Sequence, residues 1–190
     1  TTNTEVWYNL SSNEIKEYED MDKLCFMKVI GYPDTTTTEA IYLELGVLPI
    51  GVIIKARRLN YLYTILTSDQ SGMLFTSFIT QWNNPTRGDW TEQVKEDLED
   101  FKIPCDFEFI RSKSKEAFKI FVKCRAKEFA LNKLLGNNVS YSELKMQNYL
   151  KDENLKPKEM KTIFRYRTRM ERYGAGKAFT ICPLCKLHID

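Results

Sequence analysis

Apolar residues recur along most of the chain at three- and four-residue steps, and strict apolar/polar alternation is nearly absent, so the pattern predicts an all-α protein of short and medium helices. Ser11-Ser12-Asn13-Glu14 offers a capping box ahead of Ile15, Tyr18, Leu24, Cys25 and Met27, with a stop at Gly31 and Pro33. Asp34 and the Thr35–Thr38 run open a second, short helix that reaches Leu45 and ends at Gly46. Pro49 suits the first position of a third helix, whose predicted inner face carries Ile50, Ile53, Ile54, Arg57, Tyr61 and Ile65. Further helices are expected around 73–82, 90–101, 115–135, 142–150 and 158–173. Breaks fall at Asn83-Asn84-Pro85, Pro104, Gly136-Asn137-Asn138 and Pro157, with a hinge near Gly136–Ser140.

The last of these helices has the sharpest pattern. At about 100° per residue, Lys158, Lys161, Arg165, Arg169 and Arg172 fall in one narrow stripe, while Met160, Ile163, Phe164 and Met170 take the opposite face. Such a cationic rail suits a phosphate backbone, because each neutralised phosphate releases counterions and gives affinity without sequence reading. The bland alternative is a solvated helix face. Arg167 breaks the pattern by falling on the apolar side, where a guanidinium either pairs with a carboxylate or reaches through to a ligand phosphate. Arg57 raises the same question on the third helix, with Glu39 and Glu44 as candidate partners.

Composition narrows the class further. The 190 residues are 43% hydrophobic and 28% charged, enough for a core in one or two small domains. No signal peptide and no apolar run of membrane-span length stands out, so a soluble, intracellular protein is expected, and the start without methionine agrees with a processed or excised segment. The formal charge of +2 conceals a gradient: Lys/Arg against Asp/Glu counts three to nine over residues 1–50, fifteen to twelve over 51–150 and ten to five over 151–190. The basic end points towards nucleic acid, and the acidic beginning towards packing on protein.

Five cysteines argue against a disulfide framework, and Cys25, Cys105 and Cys124 read as buried reduced thiols. Cys182 and Cys185 alone have ligand spacing. With His188 they supply at most three of the four ligands of a structural zinc site, so the chain reads as a piece of a longer polypeptide ending inside a metal-binding module. A single histidine, with no P-loop, G-x-G-x-x-G or H-E-x-x-H arrangement, leaves no catalytic constellation and no small-molecule substrate site. Glu96-Asp97 and Glu99-Asp100 read as the solvent face of the helix that buries Val94, Leu98 and Phe101, and Trp82 and Trp90 as core anchors near Phe78.

Several segments, taken in order, carry a resemblance. They are Tyr42–Ile50 (YLELGVLPI), Lys55–Tyr63 (KARRLNYLY), Gly88-Asp89-Trp90, Tyr141–Leu150 (YSELKMQNYL), Phe164–Met170 (FRYRTRM) and Cys182-Pro-Leu-Cys185. Together they resemble the region after the reverse transcriptase palm in polyproteins of LINE-type, non-long-terminal-repeat retrotransposons. The resemblance implies a helical thumb or linker domain over 1–135, a basic helical linker over 141–177 and the start of a CCHC zinc knuckle over 178–190, with a restriction-enzyme-like endonuclease beyond. Neither catalytic centre of such a polyprotein matches residues of this chain. Cys182 and Cys185 correspond to the first two knuckle ligands, while the family's histidine and second-half cysteine come later than His188. Zinc is thus implied for an intact parent and weak or absent in this chain.

The role carried over is non-catalytic: cradling template RNA or target DNA, together with the rest of the parent polyprotein and, by the family alone, in the nucleus. Lys158, Lys161, Arg165, Arg169 and Arg172 are the expected phosphate contacts, followed by Arg167, with Tyr166 and Tyr173 as stacking platforms. The competing expectation, from a different class, is a helical protein-interaction scaffold whose charges only keep it soluble. A decayed parent element, whose product does nothing, is a third.

Overall fold

The computed structural model describes residues 10–31, 36–135 and 143–167. Every regular element among them is helical: α1 (Ser12–Ile30), α2 (Thr38–Leu45), α3 (Ile50–Leu66), α4 (Met73–Asn83), α5 (Trp90–Asp100), α6 (Phe107–Arg111), α7 (Lys115–Leu135), a 3-10 turn (Asn148–Lys151) and α8 (Pro157–Arg167). No described helix is long and apolar enough to cross a membrane.

Local chemistry accounts for the boundaries. The expected capping box starts α1: Ser11 Oγ accepts from the Glu14 N–H at 3.2 Å and Glu14 Oε2 accepts from the Ser11 N–H at 2.8 Å, so two otherwise orphaned donors satisfy each other's side chains. Gly31 (φ 73°) and Gly46 (φ 64°) end α1 and α2 in the left-handed region that glycine enters without strain. Pro49 stands one position earlier than expected, as the N-cap of α3.

Helix α3 lies at the centre, packed against α1, α4, α5, α6 and α7. Its Val52, Leu59, Leu62, Ile65 and Leu66 meet Val94 and Leu98 of α5 and the row Phe118, Val122, Ala126, Ala130 and Leu134 of α7 in one core. The expected inner face of α3 is therefore only partly right. Ile54 and Ile65 are buried, whereas Ile50, Ile53, Arg57 and Tyr61 are half-buried and Val52, Arg58, Leu59, Leu62, Tyr63 and Leu66 go inside. A helix surrounded by five neighbours buries most of its circumference, so no single stripe marks its inner face.

Trp82 and Trp90 anchor a rim of this core. Phe78 stands 5.4 Å from Trp82 and 6.3 Å from Trp90 between ring centroids, and Phe107 closes on Trp82 at 5.0 Å. Phe107 belongs to α6, a five-residue helix that the periodicity did not reveal; Asp106 caps it and Ile110 is fully buried. Arg111 then donates through Nε to the Leu66 carbonyl at 2.9 Å, satisfying the last turn of α3. Lys95 does the same for α4, donating to the Trp82 carbonyl at 3.2 Å while lying 4.6 Å from that ring's centroid.

The helix expected over 142–150 is not formed. From Leu144 to Gln147 the chain runs without helical structure and crosses the C-terminus of α2, where the Gln147 N–H donates to the Glu44 carbonyl at 3.0 Å. Leu144 enters the main core, and Asn148–Lys151 adds the single 3-10 turn. Bonding to an orphaned α2 carbonyl and inserting Leu144 compete with local helix formation and win. A second, smaller core of Met27, Ile41, Leu45 and Phe164 then fastens α8 to α1 and α2, so the described part of the expected basic linker packs directly on the helices before it. The expected hinge at Gly136–Ser140 lies outside the described residues, as does the expected start of α2 at Asp34 and Thr35.

The three central cysteines differ from expectation. Cys25, Cys105 and Cys124 are all exposed free thiols, because each sits on the outer side of its segment while bulkier neighbours fill the core.

Candidate nucleic-acid interface

Helix α8 starts at Pro157, which needs no N–H partner there, and Glu159 Oε2 accepts from the Lys156 N–H at 2.8 Å. Phe164 is wholly buried and Met160 and Ile163 are half-buried, so the apolar side of the expected wheel faces the protein. On the other side Lys158 and Arg165 are exposed. Lys161, also on the rail, is half-buried and folds over the C-cap of α1. A Cβ built on Gly31 would stand 2.5 Å from its Cε and 2.6 Å from its Nζ. Its ammonium thus sits at the partly negative end of α1, which makes Lys161 a helix-terminus cation before it is a ligand contact. Arg169, Arg172 and Tyr173, and the side chain of Tyr166, lie outside the described residues, as do Cys182, Cys185 and His188.

Arg167 resolves in favour of the carboxylate. Its Nε donates to Glu44 Oε1 at 2.8 Å and its Nη2 to Gln147 Oε1 at 3.0 Å, while its guanidinium lies 6.0 Å from the Tyr149 ring centroid. Tyr149 Oη donates to the other Glu44 oxygen at 2.7 Å, and Glu44 is fully buried. One buried carboxylate of α2 therefore holds the 3-10 turn and the end of α8 together. Glu44, expected with Glu39 as a candidate partner of Arg57, bonds Arg167. Removing the acid leaves Arg167 and the phenol without it inside a half-buried pocket, so Glu44→Ala is expected to destabilise the protein by about 2–4 kcal/mol. Chemical denaturation checks this: a midpoint like the wild type's would mean the network contributes nothing.

The arginine that α3 does bury is Arg58, not Arg57. Arg58 grips Asp97 with two parallel bonds, Nε to Oδ2 at 2.7 Å and Nη2 to Oδ1 at 3.0 Å, and donates through Nη1 to Gln93 Oε1 at 2.8 Å. Lys55 adds bonds of 2.9 Å to both Asp97 and Asp100. Asp97, expected on the solvent face of α5, is fully buried, whereas its neighbours Glu96 and Glu99 are exposed as expected. Burial pulls the Lys55 ammonium down, but the Asp97 and Asp100 carboxylates outweigh it and hold the group above the usual lysine range. This cluster clamps α3 to α5 with its donors and acceptors turned to one another, the arrangement of a structural lock.

A second row of cations escaped the sequence reading. Lys115, Lys119, Lys123 and Lys127 follow one another at four-residue steps on α7 and all are exposed. Successive members rise about 6 Å along the axis and drift round it, forming an inclined ridge. Among the described residues no ion pair engages any of the four. The four-residue recurrence was visible in the sequence, but the adjacent Glu116 and Glu128 and the near-neutral middle of the chain masked it.

Among the described residues no group of three or more His, Cys, Asp and Glu side chains is placed to hold a metal ion. The fold is thus an all-α assembly that carries exposed basic rows on α7 and α8 and locks its buried charges in pairs. No protein-family model, no curated protein and no solved structure matches the chain.

Proposed function

We propose that the chain is a non-catalytic nucleic-acid-binding segment of a retrotransposon reverse transcriptase polyprotein, positioning template RNA or target DNA by contacts to phosphate. The observation that carries the binding reading is the exposed cationic surface of α7 and α8, where Lys119, Lys123, Lys127, Lys158 and Arg165 all stand at exposed positions, and no ion pair among the described residues engages the four lysines. Such groups release condensed counterions when they meet phosphates, and they need no base reading to do so. The polyprotein context rests on the resemblance of the ordered segments from Tyr42 to Cys185, and zinc held by Cys182 and Cys185 belongs to the intact parent in this reading. Arg167 and Lys161 leave the list of ligand contacts for structural duty.

Titration of labelled single-stranded RNA and duplex DNA across a salt series tests this. The wild type should bind with an affinity that falls steeply with salt. Lys119→Ala/Lys123→Ala/Lys127→Ala should flatten the logarithmic salt slope by about 2–3 if all three touch phosphate, and Lys158→Ala/Arg165→Ala by about 1.5–2, since each contact contributes roughly 0.7–0.9. All five side chains are removed from surface positions, so the fold should persist. A folded wild type that binds neither ligand at low salt would sink the proposal and favour the protein-interaction scaffold.

A further inference from the structure

The segment that crosses the end of α2 carries two exposed charges on a backbone pinned at both ends. Leu144 is buried in the core that Ala126, Ala130 and Leu134 of α7 also line, and the Gln147 N–H donates to the Glu44 carbonyl at 3.0 Å. Between these anchors the main chain of Lys145 and Met146 runs so close to Gly46 that a Cβ there would have no room. Glu143 and Lys145 flank Leu144 and are both exposed. A cation presented from a fixed main chain loses less freedom on binding than one on a loose loop.

These two charges meet the basic row of α7. Lys145 Nζ bonds Glu143 Oε1, and Lys127, the last lysine of the row, lies within electrostatic reach of the same carboxylate. The Lys145 hydrogen bond and charge, and after them the Lys127 charge, hold the Glu143 carboxyl below the usual glutamate range. Two ammonium groups from separate parts of the chain thus converge on one anion. That anion is weakly held, because both members of the Glu143–Lys145 pair are open to water. A backbone phosphate offers the same two cations acceptor oxygens and releases counterions as it binds, which the internal carboxylate does not.

We propose that Lys127 and Lys145 form a phosphate subsite that continues the α7 ridge on to the crossing segment, filled by the Glu143 carboxylate in the free protein and by a backbone phosphate when nucleic acid binds. The subsite rests on the nucleic-acid-binding reading, to which it adds one contact, Lys145, and one internal competitor, Glu143.

The test is titration of the full chain with labelled single-stranded RNA and with duplex DNA across a salt series, scored on whichever ligand the wild type binds. Lys145→Ala should flatten the logarithmic salt slope by about 0.7–0.9, the share of one phosphate contact. Glu143→Gln should tighten binding about three- to fivefold at low salt, with the gain shrinking as salt rises, because a like charge is removed from beside the phosphate. Glu96→Gln removes the same charge from an exposed position on α5 and should stay within about twofold of wild type. In Glu143→Gln/Lys145→Ala the gain should fall below about twofold, since half of the subsite is gone. A wild type that binds, and whose salt slope falls in Lys119→Ala/Lys123→Ala/Lys127→Ala but not in Lys145→Ala, would overturn the subsite and leave the binding reading standing. Glu143→Gln no tighter than Glu96→Gln would overturn the competitor in the same way, whereas a folded wild type that binds neither ligand would overturn both. The three positions changed are exposed, and circular dichroism of each variant confirms that the fold is intact.

Discussion

Asp97→Ala should destabilise the protein by about 3–5 kcal/mol and lower its melting temperature by about 6–20 °C for a chain of this size. Asp97 is fully shielded from water and Arg58 nearly so, with 7% of that side chain exposed. Truncation would take the Asp97 acceptor from the Arg58 Nε and Nη2 donors and one of two carboxylates from the Lys55 ammonium, inside the α3–α5 contact. An uncompensated buried charge costs far more than an intact pair contributes, and a total stability of about 5–15 kcal/mol leaves little margin. Arg58→Leu/Asp97→Leu should recover much of the loss, because the pair is then replaced by packed apolar volume. Differential scanning calorimetry of the three proteins separates these outcomes. An Asp97→Ala melting temperature within about 2 °C of wild type would show that the clamp is not formed.

Gly46→Ala should cost about 2–4 kcal/mol and should loosen the Leu144–Lys151 segment in particular. Two effects combine. The φ of 64° puts any Cβ into the left-handed region, at about 1–2 kcal/mol, and that Cβ would collide with the backbone of Lys145 and Met146 where it crosses α2. A flexible side chain yields to such a contact, but a main chain held by the Gln147–Glu44 hydrogen bond does not. Gly31→Ala is the informative control. Its φ is as unfavourable at 73°, yet only the end of the Lys161 side chain stands in the way, so the expected cost is smaller, near the backbone share alone. Hydrogen exchange should show lost protection at Gln147 for Gly46→Ala and not for Gly31→Ala. Equal protection in both variants would mean that the crossing segment is not held by close contact with Gly46.

The helix ends of this protein are legible in its sequence because they are settled within a turn. Ser11 and Glu14 exchange their bonds three residues apart, and Gly31 and Gly46 relieve their own backbones, so α1 begins and ends, and α2 ends, close to where the pattern places them. The full span of α7, Lys115–Leu135, is recovered for the same reason: a long periodic run between clear breaks. The lysine ridge on that helix is equally local, but the near-balanced charge of residues 51–150 conceals it.

The fate of individual charges is a different matter, because their partners lie far along the chain. Glu44 is 123 residues from Arg167, and Arg58 is 39 from Asp97. Helical position alone cannot distinguish Arg57 from its neighbour Arg58 when α3 is enclosed on most sides, nor tell that Asp97 turns inward while Glu96 and Glu99 turn out. Residues 143–147 carry a helical pattern, yet they form no helix because the end of α2 offers a carbonyl and the core offers a place for Leu144. By itself, then, the sequence determined the helical class, most helix boundaries and the presence of a basic face on α8, all set by interactions spanning one turn. Only the tertiary structure decided which charges are locked and which are presented, because burial and pairing depend on neighbours that the chain brings together from dozens of residues away.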